Sequence, residues 1–213
     1  CIRDSIRPIA FVECPRMGLD WRGCTGTVAI AAWPWETYLG KEETGVRCKI
    51  SAWRRISNQS LLVAAKAGGH YLNSQLARWE ALDCGYDEAI LLDHRGFVSE
   101  GPGENIFIVK NGKFKTPPEN ASILRGITRD TVIKFLRDRG YVVEEVDLSV
   151  DDLFSADEAF FVGTAAQVTP IIEVDGVKVG RGTPGELTRM VQELYRKVTH
   201  GEIPEYLEWL TFV

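Results

Sequence analysis

One lysine stands out as a residue that could do chemistry: Lys66, set in Ala64-Ala65-Lys66-Ala67-Gly68-Gly69-His70-Tyr71. An ammonium lowered among alanines loses hydration, which favours the neutral amine, and a neutral lysine amine can hold a carbonyl compound as an imine. Gly68 and Gly69 remove side chains that would crowd a flat ligand, and Tyr71 offers a phenol five residues on. The plainer alternative is a surface lysine whose stem lies along a helix.

Three other stretches carry complementary groups. Phe97-Val98-Ser99-Glu100-Gly101-Pro102-Gly103-Glu104-Asn105 places carboxylates in a glycine-rich bend, and side-chain chemistry alone does not separate Glu100 from Glu104. Ile123-Leu124-Arg125-Gly126-Ile127-Thr128-Arg129-Asp130 opens a helix with a glycine, a hydroxyl and free amides, which suits an anion, although threonines near helix starts commonly serve as caps. Gly163-Thr164-Ala165-Ala166 ends a strand with small residues whose amides could cradle a carboxylate or phosphate, or simply pack tightly. An imine-forming lysine, an anion for a ring nitrogen and a phosphate cup are together what pyridoxal phosphate requires.

Strand and helix signals alternate around these groups. Strands are expected at Ile6 to Glu13, Thr27 to Trp33, Val46 to Trp53, Asp87 to Asp93, Ile106 to Lys110, Lys113 to Thr116, Tyr141 to Leu148 and Asp157 to Val162. Asn111-Gly112 and Asp175-Gly176 mark two-residue hairpins. A helix over residues 70 to 84 is expected to bury Leu72, Leu76, Trp79 and Leu82. The final helix carries a start signal of Thr183 as cap, Pro184 and Glu186. Pro34 to Gly40 reads as an aromatic loop, residues 41–47 as a linker between a front domain (1–40) and a larger one (48–213), and residues 205–213 as a docking tail.

With 213 residues, 45% hydrophobic and 26% charged, the chain is globular in composition. A net charge of −5 without a basic block disfavours nucleic acid or an anionic membrane as partner and leaves small molecules. Five scattered cysteines and three dispersed histidines make a disulfide framework or a metal site unexpected, and with no signal segment or membrane-length apolar run they point to the cytoplasm.

From about Ile6 onward the chain resembles the branched-chain amino-acid aminotransferases, fold-type IV pyridoxal-phosphate enzymes. Ala-Ala-Lys-Ala-Gly-Gly-His-Tyr, Ser-Glu-Gly-Pro-Gly-Glu-Asn, Gly-Ile-Thr-Arg-Asp and Gly-Thr-Ala-Ala occur in the family's order. The resemblance implies a mixed α/β chain: a large pseudo-barrel domain and a remnant of a small N-terminal domain, the rest of which precedes Cys1. It implies ping-pong transamination of leucine, isoleucine or valine with 2-oxoglutarate in a homodimer or higher homo-oligomer.

Carried over by position, Lys66 is the Schiff-base lysine and proton shuttle, Tyr71 bonds the cofactor's ring oxygen and Glu100 faces its ring nitrogen. Leu124 packs on the ring, and Gly126, Ile127, Thr128 and Thr164 form the phosphate cup. The Thr164 and Ala165 amides and Arg7 meet the substrate carboxylate, Trp35 and Tyr38 line the side-chain pocket, and Met17-Gly18-Leu19 reaches the neighbouring subunit. Ser5 stands where the family has an aromatic, and His70 where asparagine is common. D-amino-acid and (R)-amine transaminases, aminodeoxychorismate lyases and an inactive fragment are the competing expectations.

Overall fold

The computed structural model describes residues 4–35 and 38–212, and the chain divides into two compact units, Cys1–Tyr38 and Leu39–Val213. The expectations for Ile2-Arg3, Glu36-Thr37 and Val213 lie outside the described residues.

The first unit is a ribbon of β1 (Asp4–Glu13) and β2 (Thr25–Pro34), antiparallel with Glu13 opposite Thr25. One step beyond that pair stand Cys14 and Cys24, and they form a disulfide, against expectation. The reason is register: residues scattered in sequence become direct neighbours where the two strands leave the ribbon, with Cα atoms 4.6 Å apart. Pro34, expected to begin a loop, is the last residue of β2, and a two-stranded edge tolerates it. Ile6, Ile9, Val28 and Ile30 remain exposed.

The second unit is built on β3 (Val46–Arg54), β4 (Glu88–Leu92), β5 (Val98–Glu100), β6 (Asn105–Lys110), β7 (Lys113–Thr116), β8 (Val143–Glu145), β9 (Glu158–Gly163), β10 (Gln167–Val174) and β11 (Val177–Lys178). Strand β9 pairs with both β6 and β10, so β10-β3-β4-β5-β6-β9 closes on itself, with β11 and the β7–β8 pair as extensions. This is the pseudo-barrel expected for fold-type IV.

Alternation sorts the side chains to the two faces of the wall. Cys48, Ile90, Val98, Ile106, Ile108, Ala159, Phe161 and Ile171, drawn from all six closing strands, share one buried cluster with Leu148 and Leu153. Their sequence neighbours Phe107, Val109, Phe160 and Val162, with Val168 of β10, face the other way, onto helices α2 (Ile127–Asp138) and α4 (Glu186–Thr199). Both two-residue turns have positive φ at each central residue, Asn111 and Gly112 at 51° and 72°, Asp175 and Gly176 at 46° and 79°, as their sequences predict.

Three element expectations need correction. Helix α1 (Tyr71–Asp83) packs its small residues Ser74, Ala77 and Ala81 inward, whereas Leu72, Trp79 and Leu82 are exposed. Close approach to the strands selects the small face, so the apolar stripe points outward. Helix α4 starts at Glu186 rather than behind a Thr183 cap. Its first-turn amides at Leu187 and Thr188 donate to the Glu158 carboxylate at 3.1 and 2.7 Å, so a β9 side chain caps it. The strand expected over Tyr141 to Leu148 shrinks to Val143–Glu145, the residues in register with β7, and Ser149 then caps the short helix α3 (Val150–Phe154).

Residues 41–47 belong to the second unit, where Lys41 pairs with Asp87 at 2.8 Å and Val46 is fully buried. No helix among the described residues is long and apolar enough to cross a membrane.

Candidate active site

Strand register brings together the residues that sequence left far apart. Leu91 pairs with Glu100, Glu100 with Asn105, Asn105 with Val162, and Val162 with Val168. Residues directly opposite one another point to the same face, so Glu100 and Asn105 share the outer face with Leu91 and Val162. Leu91 packs under α1, while Val162 and Val168 pack under α2 and α4. The two polar residues occupy the gap between these helical layers, and a cavity of about 390 Å³ opens there, a size suited to one small cofactor.

Lys66, Tyr71, Glu100, Leu124, Gly126, Ile127, Thr128 and Thr164 all line that cavity. Ala165 follows Thr164 in the tight turn between β9 and β10. Lys66 lies in the connection from β3 to α1, ahead of a turn of 3₁₀ helix at Gly68–His70, and it is exposed rather than sheltered. The alanines around it are mostly exposed too, so flanking residue type is a poor guide to burial in a loop. Thr128 is the second residue of α2, whose first-turn amides have no partner within the helix, and no side chain caps Gly126. Arg7, Trp35 and Tyr38 belong to the first unit. There Trp35 stacks on Trp33 at 5.6 Å and meets Tyr38 at 6.3 Å.

Glu100 and Glu104, equivalent in side-chain chemistry, have different surroundings. Glu100 Oε1 accepts from Arg55 Nε at 2.7 Å, and its Oε2 accepts from Asn105 Nδ2 and the Leu124 amide, each at 3.0 Å. Among the described residues Glu104 accepts one hydrogen bond, from the Gly103 amide at 3.1 Å, and its Oε1 is buried without a partner. Burial raises the Glu100 carboxyl to about 7 against the lowering pull of Arg55, and burial likewise raises Glu104 to about 7. Glu88, buried and near Glu104, is raised to about 8 although it pairs with Arg78.

Sequence reasoning passed over Arg55 and Asn105. Asn105 also donates to the Leu124 carbonyl at 2.9 Å, tying the carboxylate to the segment that leads into α2. A Cβ on Gly126 would run into Asn105 Oδ1, so that glycine is required where the two segments touch. Asn105 closes the Ser-Glu-Gly-Pro-Gly-Glu-Asn motif and could have been singled out on that ground, whereas Arg55 had no local signal at all.

The donor set fits pyridoxal phosphate: an amine, a phenol, a carboxylate held by a cation, and a helix start with a second amide turn for the phosphate. Arg55 Nη1, buried in the cavity wall without a hydrogen bond among the described residues, marks the wall as built for a polar occupant.

The family model for amino-transferase class IV matches residues 19–174. A probable branched-chain-amino-acid aminotransferase of Aquifex aeolicus is 45% identical over 97% of this chain and 66% of its own length. Among solved structures, the branched-chain aminotransferase of Thermoproteus uzoniensis with norvaline superposes with a TM-score of 0.93 at 48% identity, covering 98% of this chain and 68% of its own. The branched-chain amino acid aminotransferase of Thermobaculum terrenum in its PLP-form gives 0.92 at 37% identity, covering 98% and 68%. The chain thus spans about two thirds of the length of the relatives it matches. With the barrel closed, the motifs gathered in one cavity and the match running through most of the sequence, this chain belongs to the class IV aminotransferase family.

Proposed function

We propose that the protein containing this chain transfers amino groups between branched-chain L-amino acids and 2-oxoglutarate with pyridoxal phosphate as cofactor. The observation that carries the reading is the convergence of Lys66, Tyr71, Glu100, the Gly126–Thr128 helix start and the Thr164 turn on one cavity. Lys66 Nζ would hold the cofactor at its aldehyde carbon and, as a free amine, would take the α-proton of the substrate and return it. Tyr71 donates to the ring oxygen, Leu124 packs on the ring, and the amides of Ile127, Thr128 and Thr164 with the two threonine hydroxyls neutralise the phosphate. The bound cofactor supplies the electron sink, which depends on Glu100 staying charged.

For substrate, the Thr164 and Ala165 amides meet the α-carboxylate, while Arg7, Trp35 and Tyr38, in the first unit, keep the substrate-binding roles that the resemblance gives them. The stacked Trp33 and Trp35 rings, with Tyr38 tilted against Trp35, support an apolar lining. The solved relatives were captured with norvaline in one case and in the PLP-form in the other, which supports both substrate class and cofactor. A homodimer and a cytoplasmic location complete the proposal, as does the division into a front domain, a linker and a large cofactor domain. Glutamate formation from 2-oxoglutarate with L-leucine, and little with D-alanine, is the expected result. Equal or preferred use of D-alanine would overturn the substrate assignment.

A further inference from the structure

Resting on that reading, we propose that Arg55 is a positioning residue for the reaction: it holds Glu100 as an anion and fixes which of its oxygens is left to receive the cofactor's ring nitrogen. Arg55 and Glu100 are both buried, with side chains 7% and 5% exposed, so the pair exchanges little with water. The arginine is anchored through its own backbone, since its amide donates to the Leu92 carbonyl at 2.8 Å. A carboxylate offers about four acceptor positions. Three are taken among the described residues, one on Oε1 by Arg55 Nε and two on Oε2 by Asn105 and the Leu124 amide. The remaining acceptor position is therefore on Oε1, the oxygen Arg55 holds.

Charge argues in the same direction. Burial and the neighbouring Glu104 carboxyl both favour a neutral Glu100, and against them stand Arg55 and the Leu124 amide. Arg55 is the cation of that group, and a neutral carboxylic acid cannot hold a protonated ring nitrogen. Arginine also suits the position better than lysine. A guanidinium keeps its proton at any working pH, whereas an amine in the same wall could lose it, and Nε–H binds at a fixed angle to the plane.

The test compares Arg55→Gln and Arg55→Lys with wild type and Glu100→Gln. In cofactor-free protein, ¹³C NMR of labelled glutamate, with Glu100→Gln assigning the signal, should place the wild-type Glu100 midpoint near about 7. Arg55→Gln should raise that midpoint by at least about one pH unit, roughly a tenfold fall in the ratio of ionised to neutral carboxyl, and Arg55→Lys should restore most of it. With pyridoxal phosphate labelled with ¹⁵N at the ring, the nitrogen should be protonated at neutral pH in wild type and Arg55→Lys. It should be unprotonated in Arg55→Gln and Glu100→Gln, and the double variant should be no worse than Glu100→Gln. An unmoved Glu100 midpoint in Arg55→Gln overturns the proposal, as does a wild-type Glu100 that stays protonated above pH 8 should Arg55→Gln not fold. If wild type takes up no pyridoxal phosphate, the functional reading fails, while the cofactor-free titration still decides the role of Arg55.

Discussion

The two units of this chain handle apolar residues in opposite ways. In the barrel, Phe107, Phe114, Phe160 and Phe161 are fully buried and Phe107 lies flat on Phe160 at 5.3 Å, whereas in the ribbon Ile6 and Ile30 are about 70% exposed. The barrel wall has two buried faces, one turned to its interior and one to its helices, and so it can support a rigid cavity. A two-stranded ribbon has no second layer of its own and is marginal by itself. Cofactor chemistry belongs on the first kind of scaffold, because a site on packed strands holds its groups in place.

That contrast can be broken from the barrel side first. Phe160→Ala should cost about 3–5 kcal/mol, read by urea unfolding of the cofactor-free protein, since it empties volume between strands and helices. Ile30→Ser, an equally apolar residue in the ribbon, should change stability by less than about 0.5 kcal/mol. A comparable loss at both would mean that the ribbon face is covered in solution. Reducing Cys14–Cys24 should loosen the ribbon by about 2–3 kcal/mol, from the loop of 10 residues it closes. Proteolysis between residues 14 and 24 would then quicken while the barrel's unfolding midpoint stays put. A chain with no dithiothreitol-sensitive disulfide would return these cysteines to the free thiols that their spacing suggests.

The barrel should also show a pH dependence that the ribbon lacks. Glu88, Glu100 and Glu104 have folded values of about 8, 7 and 7, raised by burial above the ordinary 4.5. The folded state therefore holds more protons than the unfolded chain between pH 4.5 and about 7 to 8. Stability is full below that window and falls as pH rises through it, by up to about 1.4 kcal/mol per pH unit for each carboxyl. Glu104→Gln should flatten the fall, as followed by thermal unfolding from pH 5 to 8. Glu158→Gln, which removes the carboxylate from the start of α4, should cost about 1 kcal/mol, and less if the amide still caps the helix.

What could be read from sequence follows the same division. Motif residues and hairpins were legible because their signals are local: a glycine pair, a turn dipeptide, a hydroxyl at a helix start. Arg55, the Glu158 cap and the Cys14–Cys24 bond were not, because each acts across residues joined only by strand register. Helix α1 misled because its apolar stripe is real, and close packing on β3 and β4 favoured Ala77 and Ala81 over it. Glu100 and Glu104 differ in which one faces Arg55 and Asn105, a difference carried by pairing across strands and not by local sequence.

The most direct test of the central claim is to add pyridoxal phosphate, reduce with borohydride and map the labelled peptide by mass spectrometry. A pyridoxyl group on Lys66, absent in Lys66→Ala and lost when L-leucine is added before reduction, is the predicted result. Labelling spread over other lysines, or none at Lys66, would contradict the assignment of this cavity as a transaminase site.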